Sequence, residues 1–107
     1  MFTRVVELRC KPGKTNDTCN AANEKVLPIL KKQQGFQDEL ILVSNTDHNK
    51  VLAISFWNKR EDAERYHHEQ FSRIAETMRP FLDGEPQVGN YDVNISTAHH
   101  ITLGKAA

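Results

Sequence analysis

The stretch from Val51 to Phe71 constrains the fold most, because an apolar strand there runs directly into a helix. Its first seven residues, VLAISFW, are almost all apolar and include β-branched and aromatic side chains, which is typical of a strand buried on both faces. Asn58 and Glu61 then have the spacing of a capping box, in which each side chain bonds a free backbone N–H of the first helical turn. Trp57, the single Trp of the chain, ends the strand. We therefore expect any pocket at this strand-to-helix junction.

Four strands are predicted from the patterning of apolar residues. They run from Phe2 to Cys10, from Phe36 to Ser44, from Val51 to Trp57 and from Gln87 to about Thr97. The second and third strands are joined only by the short polar segment 45–50. Strands joined this closely must be antiparallel neighbours.

Two helical regions alternate with these strands. The first is expected to be capped by Thr15 and ended by Gly35, with a kink one turn before Pro28, which removes a backbone hydrogen bond. The second follows the third strand and is less apolar in its middle, His67–Gln70, where it is expected to hitch or split. Pro80 and the turn after it end this region.

The predicted order is β-α-β-β-α-β, a ferredoxin-like α+β fold with a four-stranded antiparallel sheet and both helical regions on one face. The opposite face carries Val5, either Ile41 or Leu42, and every second residue of the third strand. This face is too apolar to stay in contact with water. A symmetric homodimer that pairs two such faces is therefore expected.

Length and charge exclude several classes of protein. The 107 residues suffice for one domain, predicted at residues 1–97, with a C-terminal tail at 98–107. The 14 basic residues equal the 14 acidic ones, so the basic excess of a protein that binds nucleic acid or an anionic membrane is absent. No secretory or membrane-spanning segment is evident, so Cys10 and Cys19 are expected to be free thiols in the cytoplasm.

Sequence motifs for common cofactors are absent from the chain. There is no Gly-rich phosphate loop, no HExxH and no CxxC, so nothing favours a nucleotide, a flavin or a zinc hydrolase centre. His67 and His68 are neighbours on a helix and point about 100° apart, so they cannot chelate one metal ion together. His99 and His100 have no further ligand at a suitable spacing and are interpreted as surface or dimer contacts. Neither a metal nor another cofactor is predicted.

Several short motifs occur in the order and spacing of one known family. PGK follows the first strand, a Pro lies within the first helix, SFWNKREDA joins the third strand to the second helix, and GEPQVGNY opens the last strand. Tyr66 stands nine residues after Trp57. From Phe2 to about Ile95 the chain thus resembles the antibiotic biosynthesis monooxygenase family of dimeric α+β barrels.

The resemblance implies a homodimer with one pocket per subunit between the helices and the sheet. Some members oxygenate aromatic substrates without metal or flavin, others degrade haem, and many have no known reaction. The haem-degrading branch would have an Asn on the first strand, an aromatic residue early in the second helix and a haem-ligating His later. This chain has Glu7, Tyr66 and Glu76 at these places, which disfavours haem degradation and leaves His67 as an alternative ligand.

Oxygenation without a cofactor needs a flat apolar pocket that excludes water and a group that takes or relays a proton. Tyr66 and His67 are the candidate catalytic residues, since a phenol and an imidazole can both exchange protons. The candidate substrate-binding residues are the apolar and aromatic side chains of the same region: Trp57, Phe56, Phe71 and Met78. Trp57 is equally well interpreted as a residue of the core or of the dimer interface.

The sequence therefore predicts a cofactor-independent monooxygenase that acts on an aromatic or quinone-like small molecule. The alternative is a non-catalytic dimer that binds a small molecule or responds to stress, and a haem-binding protein is the third hypothesis. A pocket with a titratable group and space for a planar ring would favour the enzyme. A pocket filled by Trp57, Phe71 and Met78 would favour the non-catalytic alternative.

Overall fold

The computed structural model describes residues 1–98, which include one four-stranded antiparallel sheet. The strands are β1 (Phe2–Arg9), β2 (Phe36–Val43), β3 (Lys50–Trp57) and β4 (Gln87–Asp92). Their order across the sheet is β2-β3-β1-β4, so the predicted ferredoxin-like arrangement is confirmed. His99 and His100 lie outside the described residues, and the predicted domain boundary at residue 97 stays a prediction.

Each helical region contains a π-helical turn. The first region comprises α1 (Thr15–Ala21), the π-helical turn Ala22–Val26 and α2 (Leu27–Lys31). The second comprises α3 (Arg60–Tyr66), the π-helical turn His67–Phe71, α4 (Ser72–Met78) and a 3₁₀ turn at Arg79–Phe81. Both π-helical turns coincide with the places where a kink or a hitch was predicted, one before Pro28 and one at the polar middle of the second region. Such turns interrupt the regular hydrogen bonding of a helix and often occur at functional sites.

The predicted helix caps are wrong at both helix starts. The residues that precede α1 and α3 are Lys14 and Lys59, and neither helix has a side-chain cap. The Thr15 hydroxyl instead donates to the carbonyl of His48 at 2.7 Å, so it is not available to the helix. The backbone N–H of Asn58 donates to the carbonyl of Gly35 at 2.8 Å, which keeps Asn58 in the sheet connection two residues before the helix begins at Arg60.

The last strand is shorter than predicted. β4 ends at Asp92, which pairs with Phe2, the first residue of β1. Beyond this pair only the N–H of Val93 continues the ladder, as a donor to the Met1 carbonyl at 2.9 Å. Ile95, which lies beyond these pairs, is 83% exposed.

A β-bulge in β2 decides which of its side chains face the helices. Phe36 pairs with Trp57, but the next pair is Asp38 with Phe56, so Gln37 is an extra residue in the strand. The bulge shifts the alternation by one residue. Phe36 and the odd-numbered positions from Glu39 onwards therefore share the face that packs against the helices.

The opposite face of the sheet remains apolar. Leu40 and Leu42 are 43% and 44% exposed there, and the register places Leu52, Ile54 and Phe56 of β3 beside them. The choice between Ile41 and Leu42 is thus resolved: Leu42 lies on the open face. We call this surface, formed by Val5, Leu40, Leu42, Leu52, Ile54, Phe56 and Tyr91, the open face.

Candidate functional site

A cavity lies between the sheet and the two helical regions. Most of its wall is apolar: Val6, Leu8, Ala22, Val26, Leu30, Ile41, Ala53, Phe71, Ile74, Ala75, Met78 and Pro86. About 550 Å³ between the lining atoms is unoccupied when the mouth is included, and the centres of water molecules fit into about 60 Å³ of it. The enclosed part therefore has room for a few water molecules or about one aromatic ring.

Four polar side chains interrupt this apolar wall: Arg4, Glu39, Ser55 and Tyr66. Three of them lie in one row across the sheet, since Ser55 of β3 pairs with Glu39 on one side and with Arg4 on the other. Asn90 of β4 continues the row beyond Arg4. The cavity thus has a polar end that is built into the rigid sheet rather than into loops.

Arg4 is the central residue of this polar end and only 3% exposed. One terminal nitrogen, Nη1, donates to Nδ1 of His67 at 3.0 Å. The guanidinium carbon lies 5.5 Å from the ring centre of Tyr66 and 5.0 Å from that of Phe71, within the range of cation–π attraction. The other terminal nitrogen, Nη2, is buried and has no hydrogen-bond partner among the described residues.

Glu39 is the titratable carboxyl of the cavity. Burial raises its pKa to about 8, although the Arg4 guanidinium lowers it, and Asp38 adds to the rise. Burial also lowers the pKa of Arg4, but a guanidinium keeps its charge at neutral pH. At pH 7 the polar end therefore contains a cation and a largely protonated carboxyl.

Tyr66 and His67, the predicted catalytic pair, have different positions in the structure. Tyr66 is buried and lines the cavity, and burial raises its pKa well above the usual range, so its phenol stays protonated. His67 does not line the cavity; its ring stacks on Phe71 with ring centres 5.0 Å apart and accepts the hydrogen bond of Arg4. Burial, the Arg4 cation and His68 all lower the pKa of His67, so it is neutral at pH 7.

The four predicted substrate-binding residues separate into three groups. Phe71 and Met78 line the cavity. Trp57 is fully buried behind it, where it packs against Tyr66 at 5.2 Å between ring centres and donates from Nε1 to Ser55 Oγ at 2.9 Å. Phe56 lies on the open face, because neighbouring residues of a strand point to opposite sides of the sheet. It therefore cannot contact a ligand in this cavity.

A second, open cleft lies on the other side of Arg4. It is lined by Phe2, Arg4, Ala63, Glu64, His67, His68, Val88 and Asn90. Arg4 and its hydrogen bond to His67 thus separate this cleft from the apolar cavity. Within residues 1–98 no group of three or more His, Cys, Asp or Glu side chains is placed to hold a metal ion, and no helix is long and apolar enough to cross a membrane.

Arg4, Glu39 and Ser55 were not predicted from the sequence. The position of Arg4 could have indicated its role, because it stands between Phe2 and Val6 on the apolar side of β1, where a charged residue must point into the core. Nothing in the sequence indicated the role of Glu39, since its inward direction depends on the bulge at Gln37.

Solved structures confirm the fold. A monooxygenase from the gene ActVA-Orf6 of Streptomyces coelicolor, in complex with Nanaomycin D, has a TM-score of 0.77 at 17% identity, over 89% of this chain and 88% of that one. SnoaB, a cofactor-independent oxygenase from Streptomyces nogalater, has a TM-score of 0.76 at 15% identity, over 92% of this chain and 97% of that one. A conserved protein from Methanosarcina mazei Go1 has a TM-score of 0.70 at 19% identity, over 85% of this chain and 91% of that one. At these identities the likeness concerns the fold.

The family follows from the sequence itself. A comparison with curated proteins found no match. The family model described as antibiotic biosynthesis monooxygenase, however, matches residues 1–78, which is well over half of the chain. The match covers β1 to α4 and so includes every residue of the polar end except Asn90. The chain belongs to the antibiotic biosynthesis monooxygenase family.

Proposed function

We propose that this protein is a cofactor-independent monooxygenase that oxidises an aromatic or quinone-like small molecule in the apolar cavity. The observation that carries the proposal is the polar end of the cavity, where a carboxyl, a guanidinium and a phenol meet beside space for a planar ring. This is the combination of a titratable group and a ring-sized space that favours the enzyme over the non-catalytic dimer. SnoaB, a cofactor-independent oxygenase, and the Streptomyces coelicolor monooxygenase in complex with Nanaomycin D support the same class of reaction and ligand.

In this reaction the substrate supplies the electrons. For an anthrone-like ring, the ionised form of Glu39 removes a proton from the CH₂ group, and the resulting anion reduces dioxygen. The balanced change is R₂CH₂ + O₂ → R₂C=O + H₂O, with one oxygen atom in the product and the other in water. The protein has to take the proton, stabilise the anion and exclude bulk water.

Each polar residue has a distinct task in this proposal. Glu39 is the base, because it lines the cavity and its pKa of about 8 leaves part of it ionised at physiological pH. Tyr66 keeps its proton and donates a hydrogen bond to the developing oxyanion. His67 acts as a positioning residue that holds Arg4 through its Nδ1. A cytoplasmic location, expected from the sequence, is part of the proposal.

The test is oxygen consumption with a panel of anthrones and hydroquinones. We expect turnover of at least one substrate by the wild type. Tyr66→Phe is expected to lower kcat about tenfold to a hundredfold, the usual effect of removing a hydrogen bond to a charged group. His67→Ala is expected to lower kcat/KM about tenfold, because Arg4 loses the hydrogen bond to Nδ1 of His67 that holds its guanidinium in place.

His68→Ala is the matched control for His67→Ala, since His68 is adjacent on the π-helical turn and no hydrogen bond joins it to Arg4. It should keep wild-type kinetics. If no compound in the panel is oxidised, the non-catalytic dimer becomes the better explanation. A Soret band on titration with haem would favour the haem-binding hypothesis instead.

We further propose that two copies pair through the open face, because a contiguous apolar surface of this extent is rarely left in water. Light scattering at micromolar concentration should give the mass of a dimer, and Leu42→Asp should shift it to that of a monomer. Val43→Asp is the control: Val43 is similarly exposed, at 47% against 44% for Leu42, but points to the other side of β2. A wild-type monomer would contradict this assembly.

A further inference from the structure

Arg4 has a feature that its contacts with the protein do not explain. It is only 3% exposed, and it carries a full positive charge. Nη1 is satisfied by His67, but Nη2 is buried and, within residues 1–98, has no hydrogen-bond partner. A buried donor without an acceptor is unfavourable, and more so when it is charged.

The groups around Arg4 do not neutralise its charge. From β2, Glu39 faces it with its proton largely retained at neutral pH, and Asp38 lies next to Glu39. From the second helical region, Tyr66 stays protonated and His67 is neutral. The aromatic rings of Tyr66 and Phe71 attract the cation but offer no acceptor of full negative charge.

The surroundings of Arg4 also limit the size of a ligand. The guanidinium borders the cavity, whose enclosed part has about 60 Å³ for the centres of water molecules. This space fits a single ring, and a fused polycycle would extend into the mouth. The wall opposite the polar end is apolar, so only one end of a bound ring can carry a polar group.

We propose that Arg4 is the specificity-determining residue of the cavity and binds, through Nη2, the anionic oxygen of a single-ring aromatic ligand. The oxygen belongs to a phenolate or to a carboxylate. This inference rests on the proposed function in one respect, the use of the same cavity, and it adds that ring compounds with an anionic oxygen bind there more tightly than their neutral counterparts. The ring of the ligand then lies against the apolar wall of the cavity.

Ligand binding tests the inference without turnover. The probes are 4-nitrophenolate and benzoate, each paired with a neutral compound of similar shape, 4-nitroanisole and benzamide. Wild-type protein is expected to bind each anion about tenfold to a hundredfold more tightly than its neutral counterpart, as for a hydrogen bond to a charged group. Preference for only one of the two anions identifies the oxygen as phenolate or carboxylate.

Arg4→Met removes the charge and keeps a flexible apolar side chain. It should abolish the preference for the anions while it binds the neutral probes as the wild type does, which also shows that the variant is folded. Arg73→Met is the matched control: Arg73 is exposed in α4, where it donates to Gln70, so this variant should retain the preference. Equal binding of anion and neutral probe by the wild type would overturn the inference, even if Arg4→Met fails to fold. Oxygen consumption without tighter binding of the anions would leave the proposed function standing and refute only the role of Arg4. Tighter binding of the anions without turnover would support the role of Arg4 and refute the proposed function.

Discussion

Glu39→Gln is expected to lower kcat for the oxidation of an anthrone about 10²- to 10⁴-fold, the usual contribution of a general base. The amide has nearly the same size as the carboxyl but cannot accept the proton. In the wild type, kcat/KM should rise with pH and level off above about 8, where Glu39 is ionised. The variant should lack this rise. Stopped-flow or electrode measurement of oxygen consumption over this pH range provides the profile.

A matched control separates this effect from a general effect of removing a carboxylate. Glu76 is on the surface, where it forms an ion pair with Arg79 at 2.9 Å, and Glu76→Gln should leave both kcat and the pH profile unchanged. An anthrone is suitable because its acidic group is a C–H bond, which distinguishes its ionisation from that of a phenol. If Glu39→Gln keeps the wild-type profile, another group is the base and the role assigned to Glu39 is wrong.

The arrangement of the elements could be predicted because it depends on local patterns. The alternation in β1, the apolar run of β3, the short connection between β2 and β3, and the two irregular helix centres could all be predicted from residue types and spacing. The helix starts were not, because Thr15 and Asn58 had the right side chains but used them, or their backbone, in contacts with distant residues. Tertiary contacts thus overrode local preference.

The polar end of the cavity could be predicted only in part. Trp57 and Tyr66 were correctly expected to lie near one another, but Trp57 supports the wall from behind instead of facing a ligand. The direction of Glu39 follows from a bulge of one residue at Gln37, and neither Gln37 nor its direct neighbours Phe36 and Asp38 is a Gly or Pro that would indicate it. An alternation counted without the bulge places Glu39 on the wrong face, which is why the carboxyl of the site was missed.

The position of Glu39 should reduce stability, and this can be measured. Its pKa is about 8 in the folded protein against 4.5 in an unfolded chain, so between these pH values the folded state holds a proton that the unfolded state releases. The free energy of unfolding should therefore be highest, as far as Glu39 is concerned, below pH 4.5. It should fall as pH rises to about 8 and stay level above that.

Urea unfolding at fixed protein concentration, from pH 5 to pH 9, measures this fall. The wild type should lose on the order of 3 kcal/mol relative to Glu39→Gln across the range. Other groups, including His67, titrate in both proteins, so the difference between the two curves isolates Glu39. Parallel curves would show that the carboxyl is well solvated in the folded protein.

Together, the two measurements on Glu39 distinguish a functional carboxyl from a structural one. A carboxyl that only supports the fold would make Glu39→Gln less stable, and any loss of activity would then follow the loss of structure. A carboxyl that is needed for the reaction but is unfavourably buried gives the opposite combination of stability and activity. At pH 9 the variant is then more stable than the wild type and far less active. Burial raises the pKa of Glu39 toward the working pH of a base and weakens the fold, and the Arg4 guanidinium, which lowers this pKa, limits both effects. Higher stability with retained activity would therefore remove Glu39 from the mechanism.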